Sequence, residues 1–204
     1  MTVRSTDTDI ELTSVRAYVD CPGGGAFVLV GAPGVAVTVR GDVWFNPESR
    51  DLTFDELVEL KTDLIVYLAC DDDGLTGQRL VLREQARRRG IRFVALPIRD
   101  FGTPGEAWIR AWRRIKDQVQ ARLDNGRSIG LCCSYGAGRS GTVAAYALME
   151  RGLAAAEALE KVRGNFPEAI ESPVQEAWLR SQHPTWTEGD MGTWNIDDAD
   201  IRKT

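Results

Sequence analysis

The sequence predicts an α/β fold with a central, mostly parallel sheet flanked by helices. Three observations carry that prediction. Short apolar runs alternate with runs of helical spacing along most of the 204 residues, the pattern that places helices between parallel strands. The run Asp63-Leu-Ile-Val-Tyr-Leu-Ala69 is apolar at consecutive positions, as in a strand covered on both faces. Finally, the glycine-containing run Cys133-Ser-Tyr-Gly-Ala-Gly-Arg139-Ser140-Gly-Thr142 separates an apolar strand from a helix-forming stretch. That is the carboxyl end of a strand, where such sheets hold their ligands.

The elements follow in order. Apolar runs at 26–30 and 35–39, joined by Gly31-Ala-Pro-Gly34, predict a hairpin. Residues 54–61 have helical spacing, with Thr53 as cap. After the buried strand 63–69, residues 78–89 form a basic amphipathic helix ended by Gly90, and 91–96 form the next strand. Residues 105–123 predict a long helix with Trp108, Trp112, Ile115 and Val119 on one face, a stripe that belongs to the core. Asn125-Gly126 closes it. Residues 128–132 are the strand entering the glycine run, and 142–150 the helix leaving it. Helices near 154–162 and 173–182 complete the set. No internal repeat is visible. The division expected is an N-terminal segment 1–24, one domain at 25–183, and a tail at 184–204 carrying Trp186 and Trp194 among acidic residues.

Composition narrows the class. A hydrophobic content of 43% in a chain this long supports one core and one domain. The net charge of −5 argues against a nucleic-acid or anionic-membrane partner. No apolar run approaches the roughly 20 residues of a membrane helix, and the first ten residues lack a secretory h-region. Cysteines at 21, 70, 132 and 133 have neither zinc-site spacing nor the pattern of a disulfide scaffold. These features fit a reducing, cytoplasmic location and call for no metal. Nothing fixes the oligomeric state.

The glycine run carries the chemistry. Cys133 and Arg139 stand at the two ends of a seven-residue loop. Strand, glycine turn and helix start together form an anion cradle, with inward amides and a helix dipole favouring negative charge. Ser134, Tyr135, Gly136, Ala137 and Gly138 would supply those amides. Arg139 can grip two phosphate oxygens with its planar fork. Cys133, among positive dipoles, is expected to act as a thiolate nucleophile. Ser140 and Thr142 place hydroxyls where they could bond the sulfur. The arrangement predicts covalent phosphoryl transfer. The sole histidine is His183, far along the chain, so a histidine-based hydrolase is disfavoured.

This run resembles the C-x5-R loop, followed by Ser or Thr, of cysteine-dependent protein tyrosine and dual-specificity phosphatases. Leu96-Pro-Ile-Arg-Asp100-Phe-Gly-Thr-Pro104 is similar to the mobile general-acid loop of that superfamily. Ala169-Ile-Glu-Ser-Pro-Val-Gln175-Glu-Ala-Trp-Leu179 looks like the C-terminal stretch of the kinase-associated phosphatase subgroup, as do Leu29-Val-Gly-Ala-Pro-Gly34 and Phe54-Asp-Glu-Leu-Val-Glu-Leu60. The likeness covers about residues 25–182, in the right order. It implies the phosphatase fold, a phosphoprotein or phosphopeptide substrate, no cofactor, and four catalytic residues: Cys133 as nucleophile, Arg139 as phosphate ligand, Asp100 as general acid and base, and Ser140 as an aid to thiolate release.

Several positions keep a second reading. Asp100 also suits a turn, and Gln175 suits either a water-orienting role or an ordinary helix position. The basic stretch near Arg83 reads as a solvated face. The family usually has histidine before the nucleophile, and here it is Cys132, which leaves the tuning of the thiolate open. Relatives also protect an oxidised nucleophile by a disulfide, which makes Cys70, and after it Cys132, the redox candidates. Three alternatives to catalysis stay open: a weakly active phosphate-binding pseudophosphatase, a sulfurtransferase with a persulfide on Cys133, and a purely structural role for the loop. The loop interior has no lysine or arginine, which disfavours a highly charged inositide.

Overall fold

The computed structural model describes residues 12–37 and 43–182. His183 and the 184–204 tail, with Trp186 and Trp194, lie outside these residues. The main sheet has five strands: β1 (Val15–Asp20), β2 (Ala26–Val30), β5 (Thr62–Tyr67), β6 (Arg92–Ala95) and β7 (Ser128–Cys132), in the order β1-β2-β7-β5-β6. β7 is the middle strand, parallel to β2 on one side and β5 on the other, and β6 runs parallel to β5. β1 is antiparallel and covers the β2 edge. A separate ribbon pairs β3 (Val35–Val37) with β4 (Val43–Phe45). The mostly parallel sheet expected from the sequence is present.

Helices cover both faces. The six are α1 (Pro47–Glu59), α2 (Gln78–Arg88), α3 (Glu106–Asp124), α4 (Gly138–Glu150), α5 (Ala155–Asn165) and α6 (Pro173–Ser181). Leu29 and Leu131 of the sheet pack with Trp112, Ile115 and Val119 of α3 and with Val143 to Met149 of α4. Val28, Val30 and Tyr67 pack on the other face with Phe54 and Leu57 of α1 and Leu82 of α2. Strand residues alternate between these two cores because successive side chains point to opposite faces. Burial of each such large side chain contributes roughly 1.5–3 kcal/mol. α4 is buried at every position from Gly138 to Met149; its apolar run Val143 to Met149 is enclosed all round, and Arg139, Ser140 and Thr142 are buried polar residues near its start. No helix among the described residues is long and apolar enough to cross a membrane.

Four local expectations are corrected. β2 and β3 do not form a hairpin; β2 pairs with β1 and β7, and β3 with β4. The sheet begins at Val15, inside the segment placed ahead of the domain at 1–24, because Ala17 to Asp20 pair with β2. α1 starts at Pro47, capped by the Asn46 side chain, which accepts from the Glu48 and Ser49 amides. Thr53 lies inside that helix and donates its hydroxyl to the Ser49 carbonyl at 2.7 Å. α4 starts at Gly138 rather than Thr142, so the helix N-terminus belongs to the loop itself.

The sheet converges at its carboxyl end. Hydrogen bonds continue past the strands, from the Leu68 amide to the Cys132 carbonyl at 2.6 Å and from the Ile98 amide to the Leu68 carbonyl at 2.9 Å. Three segments thereby meet: the loop after β7, the turn Cys70 to Asp73 after β5, and the loop from Leu96 to Gly105 after β6.

Candidate active site

In the β7–α4 loop two carbonyls are held by partners outside the loop and one amide points at the cysteine. The Ser134 carbonyl accepts from the Ala32 amide at 3.0 Å, and the Tyr135 carbonyl from Arg16 Nε at 3.0 Å. Gly136, at φ +99°, points its amide at Cys133 Sγ, 3.1 Å away. Only glycine fits there: a Cβ would lie 2.7 Å from the Gly31 nitrogen and 2.8 Å from the Val30 carbonyl carbon. Cys133 is 2% exposed, at the floor of a cradle closed by the α4 N-terminus, whose dipole favours an anion.

Arg139 is buried and divides its guanidinium between two directions. Nη1 donates to Asp73 Oδ2 at 2.5 Å and to the Ile98 carbonyl at 3.1 Å. Nη2 donates to Ser134 Oγ at 2.8 Å and meets Asp100 Oδ1 at 3.0 Å. Nε is buried with no partner among the described residues. Burial opposes the guanidinium charge, but the neighbouring Cys133, Asp73 and Asp100 outweigh it and leave the pKa raised. Ser140 Oγ is likewise buried and unpartnered, whereas the Thr142 hydroxyl is spent on the Gly138 carbonyl at 2.7 Å. An unpaired buried donor costs about 1–3 kcal/mol, and both of these atoms belong to the first turn of α4.

Asp100 reaches Arg139 from the loop after β6, with its side chain half exposed. The next residue, Phe101, has φ 54°, a conformation rare for a bulky side chain and concentrated at functional sites. Its amide donates to Asp100 Oδ1 at 3.2 Å. α6 holds this loop in place: Ser172 Oγ donates to the Phe101 carbonyl at 3.1 Å, and Gln175 Nε2 to the Gly102 carbonyl at 3.2 Å. Gln175 is fully buried and completes a capping box with Ser172. Its amide is therefore committed to the acid loop. Glu171 instead faces the cradle. Its Oε1 packs so closely on Gly138 that a Cβ there would lie 2.0 Å away. Burial first, and then Asp100, push its carboxyl pKa up.

The remaining sequence candidates fall nearby. Tyr135 forms the outer lip, half exposed, with its hydroxyl donating to Glu168 at 2.9 Å and Arg16 over its ring at 4.8 Å. Cys70 is partly exposed and donates its thiol to the Ile98 carbonyl at 3.3 Å, the same oxygen that holds Arg139. Cys132 belongs to the core on the other sheet face, donates to the Gly31 carbonyl at 3.6 Å, and has its thiol pKa pushed well up by burial. Sequence reasoning missed Asp73 and Glu171. Asp73 closes an Asp-Asp-Asp run that reads as a solvated turn, and its one signal was its place just past a buried strand. Glu171 was legible only as a residue within the C-terminal stretch.

The chain is similar to known phosphatases. The family described as "Polymorphic toxin system, DSP-PTPase phosphatase" matches residues 48–153. A probable protein tyrosine phosphatase type IVA A from Dictyostelium discoideum is 29% identical over 118 residues, 58% of this chain and 66% of that protein. The chain therefore spans just under two thirds of that relative's length. Among solved structures, kinase associated phosphatase with its catalytic-site cysteine replaced by serine superposes with a TM-score of 0.64 at 23% identity, covering 80% of this chain and 90% of that one. Tk-PTP in the active form gives 0.57 at 25% identity, covering 82% and 98%. A putative protein tyrosine phosphatase from Leishmania major gives 0.62 at 22%, covering 82% and 98%.

Proposed function

Because the chain belongs to the DSP-PTPase phosphatase family of polymorphic toxin systems, we propose that it hydrolyses phosphotyrosine, and phosphoserine or phosphothreonine where the pocket admits them, through a cysteinyl-phosphate. The observation that carries this reading is the pairing of Cys133 Sγ with an inward amide at one end of the loop and the unpartnered Arg139 Nε at the other. In the first step the Cys133 thiolate attacks phosphorus in line. Arg139 and the amides of Ser134, Tyr135, Gly136, Ala137 and Gly138 stabilise the equatorial oxygens, where most of the acceleration arises. Asp100 protonates the leaving oxygen, then takes a proton from the water that attacks the cysteinyl-phosphate, a role worth about 10²–10⁴-fold. Ser140 donates to the departing sulfur. The partner is a phosphoprotein or phosphopeptide; the uncharged loop interior supports a singly phosphorylated aromatic ester over an inositide.

A second reading, a weakly active phosphate-binding module, is favoured by Cys132, whose thiol bonds Gly31 and offers the loop no imidazole. One assay separates the two. Wild type should hydrolyse para-nitrophenyl phosphate without added metal, be blocked by vanadate, and lose turnover in Cys133→Ser. Phosphopeptide binding without turnover would instead support the module. For redox protection, Cys70 is the stronger candidate because it shares the Ile98 carbonyl with Arg139. Mild peroxide should then yield a Cys70–Cys133 disulfide by mass spectrometry, with Cys133 sulfenic acid condensing with the Cys70 thiol and releasing water. Overoxidised Cys133 beside free Cys70 would sink that idea.

A further inference from the structure

We propose that Asp73 is a positioning residue for phosphate binding: it fixes the Arg139 fork and the Ser134 hydroxyl so that the Nε side of the guanidinium faces the cradle. The inference rests on the phosphatase reading above. A single carboxylate oxygen, Oδ2, accepts three hydrogen bonds: from the Cys70 amide at 3.1 Å, from Ser134 Oγ at 3.0 Å and from Arg139 Nη1 at 2.5 Å. Two of those donors belong to the phosphate loop, and the third anchors the carboxylate to the end of the β5 strand. The side chain is 8% exposed, so water does not substitute for these bonds.

The geometry assigns separate work to the atoms of Arg139. Nη1 is saturated from behind by Asp73 and the Ile98 carbonyl. Nη2 and the orphaned Nε form the opposite edge, and a planar fork offers that edge to two phosphate oxygens. Ser134 Oγ lies between the two groups, donating to Asp73 and accepting from Nη2. That closed triangle sets the rotation of the guanidinium. Asp100, which also contacts Nη2, lies on the phosphate side, half exposed, and an incoming oxyanion can displace it. Asp73 is buried and stays. A carboxylate near an anion site would ordinarily weaken binding by repulsion; here its charge is directed at Nη1, the guanidinium nitrogen that is not part of the proposed ligand edge.

Two substitutions distinguish geometry from charge. Asp73→Asn can still present an acceptor oxygen to the three donors, while it removes the charge and puts an amide NH2 in place of the second carboxylate oxygen. Asp73→Ala removes the anchor. Tungstate affinity is measured by calorimetry beside para-nitrophenyl phosphate kinetics, with thermal melts to establish that each variant is folded. Positioning predicts that Asp73→Asn keeps tungstate affinity and kcat within about threefold of wild type. Asp73→Ala should weaken tungstate at least tenfold and lower kcat by more than it raises KM, because Arg139 bonds the transition state more strongly than the ground state. If Asp73→Ala fails to fold, Asp73→Asn still decides, since loss of tungstate binding in that folded variant contradicts a geometric role. Tighter tungstate binding in either variant would show that Asp73 opposes the anion, and overturns the proposal. Wild-type kinetics in Asp73→Ala overturn it too. Should wild type itself neither bind tungstate nor turn over, the phosphatase reading fails and takes the inference with it.

Discussion

Two carboxylates, Asp100 and Glu171, face the cradle from different loops, and their contacts give them different consequences when changed. Asp100→Ala removes the proposed acid and its contact with Arg139, so kcat should fall about 10²-fold or more while vanadate inhibition persists. Steady-state kinetics of the folded variant check this; unchanged kcat would remove Asp100 from the mechanism. Glu171 acts through its charge. Burial and Asp100 raise its pKa in the folded protein, so it ionises late as pH rises, directly beside the α4 N-terminus where phosphate would sit. Inorganic phosphate should then inhibit less well as pH rises through that ionisation, and Glu171→Gln should flatten the profile. Gly136→Ala belongs to the same scale. With φ +99° and the Gly31 nitrogen 2.7 Å from the new Cβ, the loop must shift, and turnover should drop together with stability.

Elements were legible where the local pattern was strong. β7 runs from Ser128 to Cys132 as expected, and the Trp108, Trp112, Ile115 and Val119 stripe is buried on α3. α2 ends before Gly90, which has φ 72°. The failures were long-range or hidden. The β2 register with β7 joins Ala26 to Ser128, a pairing that no local pattern reveals, so a hairpin with the nearer apolar run looked natural. β1 was missed because its half-buried alternation is short and ends in Asp20. The Asn46-Pro47 start of α1 carries the signals of a cap and a first-turn proline, whereas Thr53 lies nearer the apolar residues that give the helical spacing. Asn46→Ala should cost about 1 kcal/mol of stability, measured by urea unfolding; no change would show that Thr53 and its neighbours suffice. The strand–glycine–helix pattern placed Cys133 and Arg139 at the two ends of one loop, and the structure has them just after β7 and at the start of α4. Asp73 was not legible, since its role depends on which strand lies beside β7.

At the scale of the whole molecule, the contact between α3 and α4 makes stability depend on pH. Glu150 accepts from Trp112 Nε1 at 2.8 Å inside this interface, and burial pushes its carboxyl up to about 7. A raised carboxyl binds its proton more tightly in the folded state than in the unfolded chain. Its contribution is therefore complete below the ordinary value of 4.5 and is lost as pH rises towards 7, with a slope of at most about 1.4 kcal/mol per pH unit. Glu150→Gln keeps an oxygen for the indole, so it should flatten this dependence and raise stability above neutral pH. Urea titrations across that range check it, and parallel curves for the two proteins would refute it. The attachment of the acid loop to α6 has a consequence in time. Ser172 and Gln175 hold the carbonyls of Phe101 and Gly102, so Asp100 gains its support only after the chain has been synthesised through α6. A chain ending before residue 172 lacks both of these donors to the Asp100 loop. Docking of the last described helix therefore completes the support of the Asp100 loop.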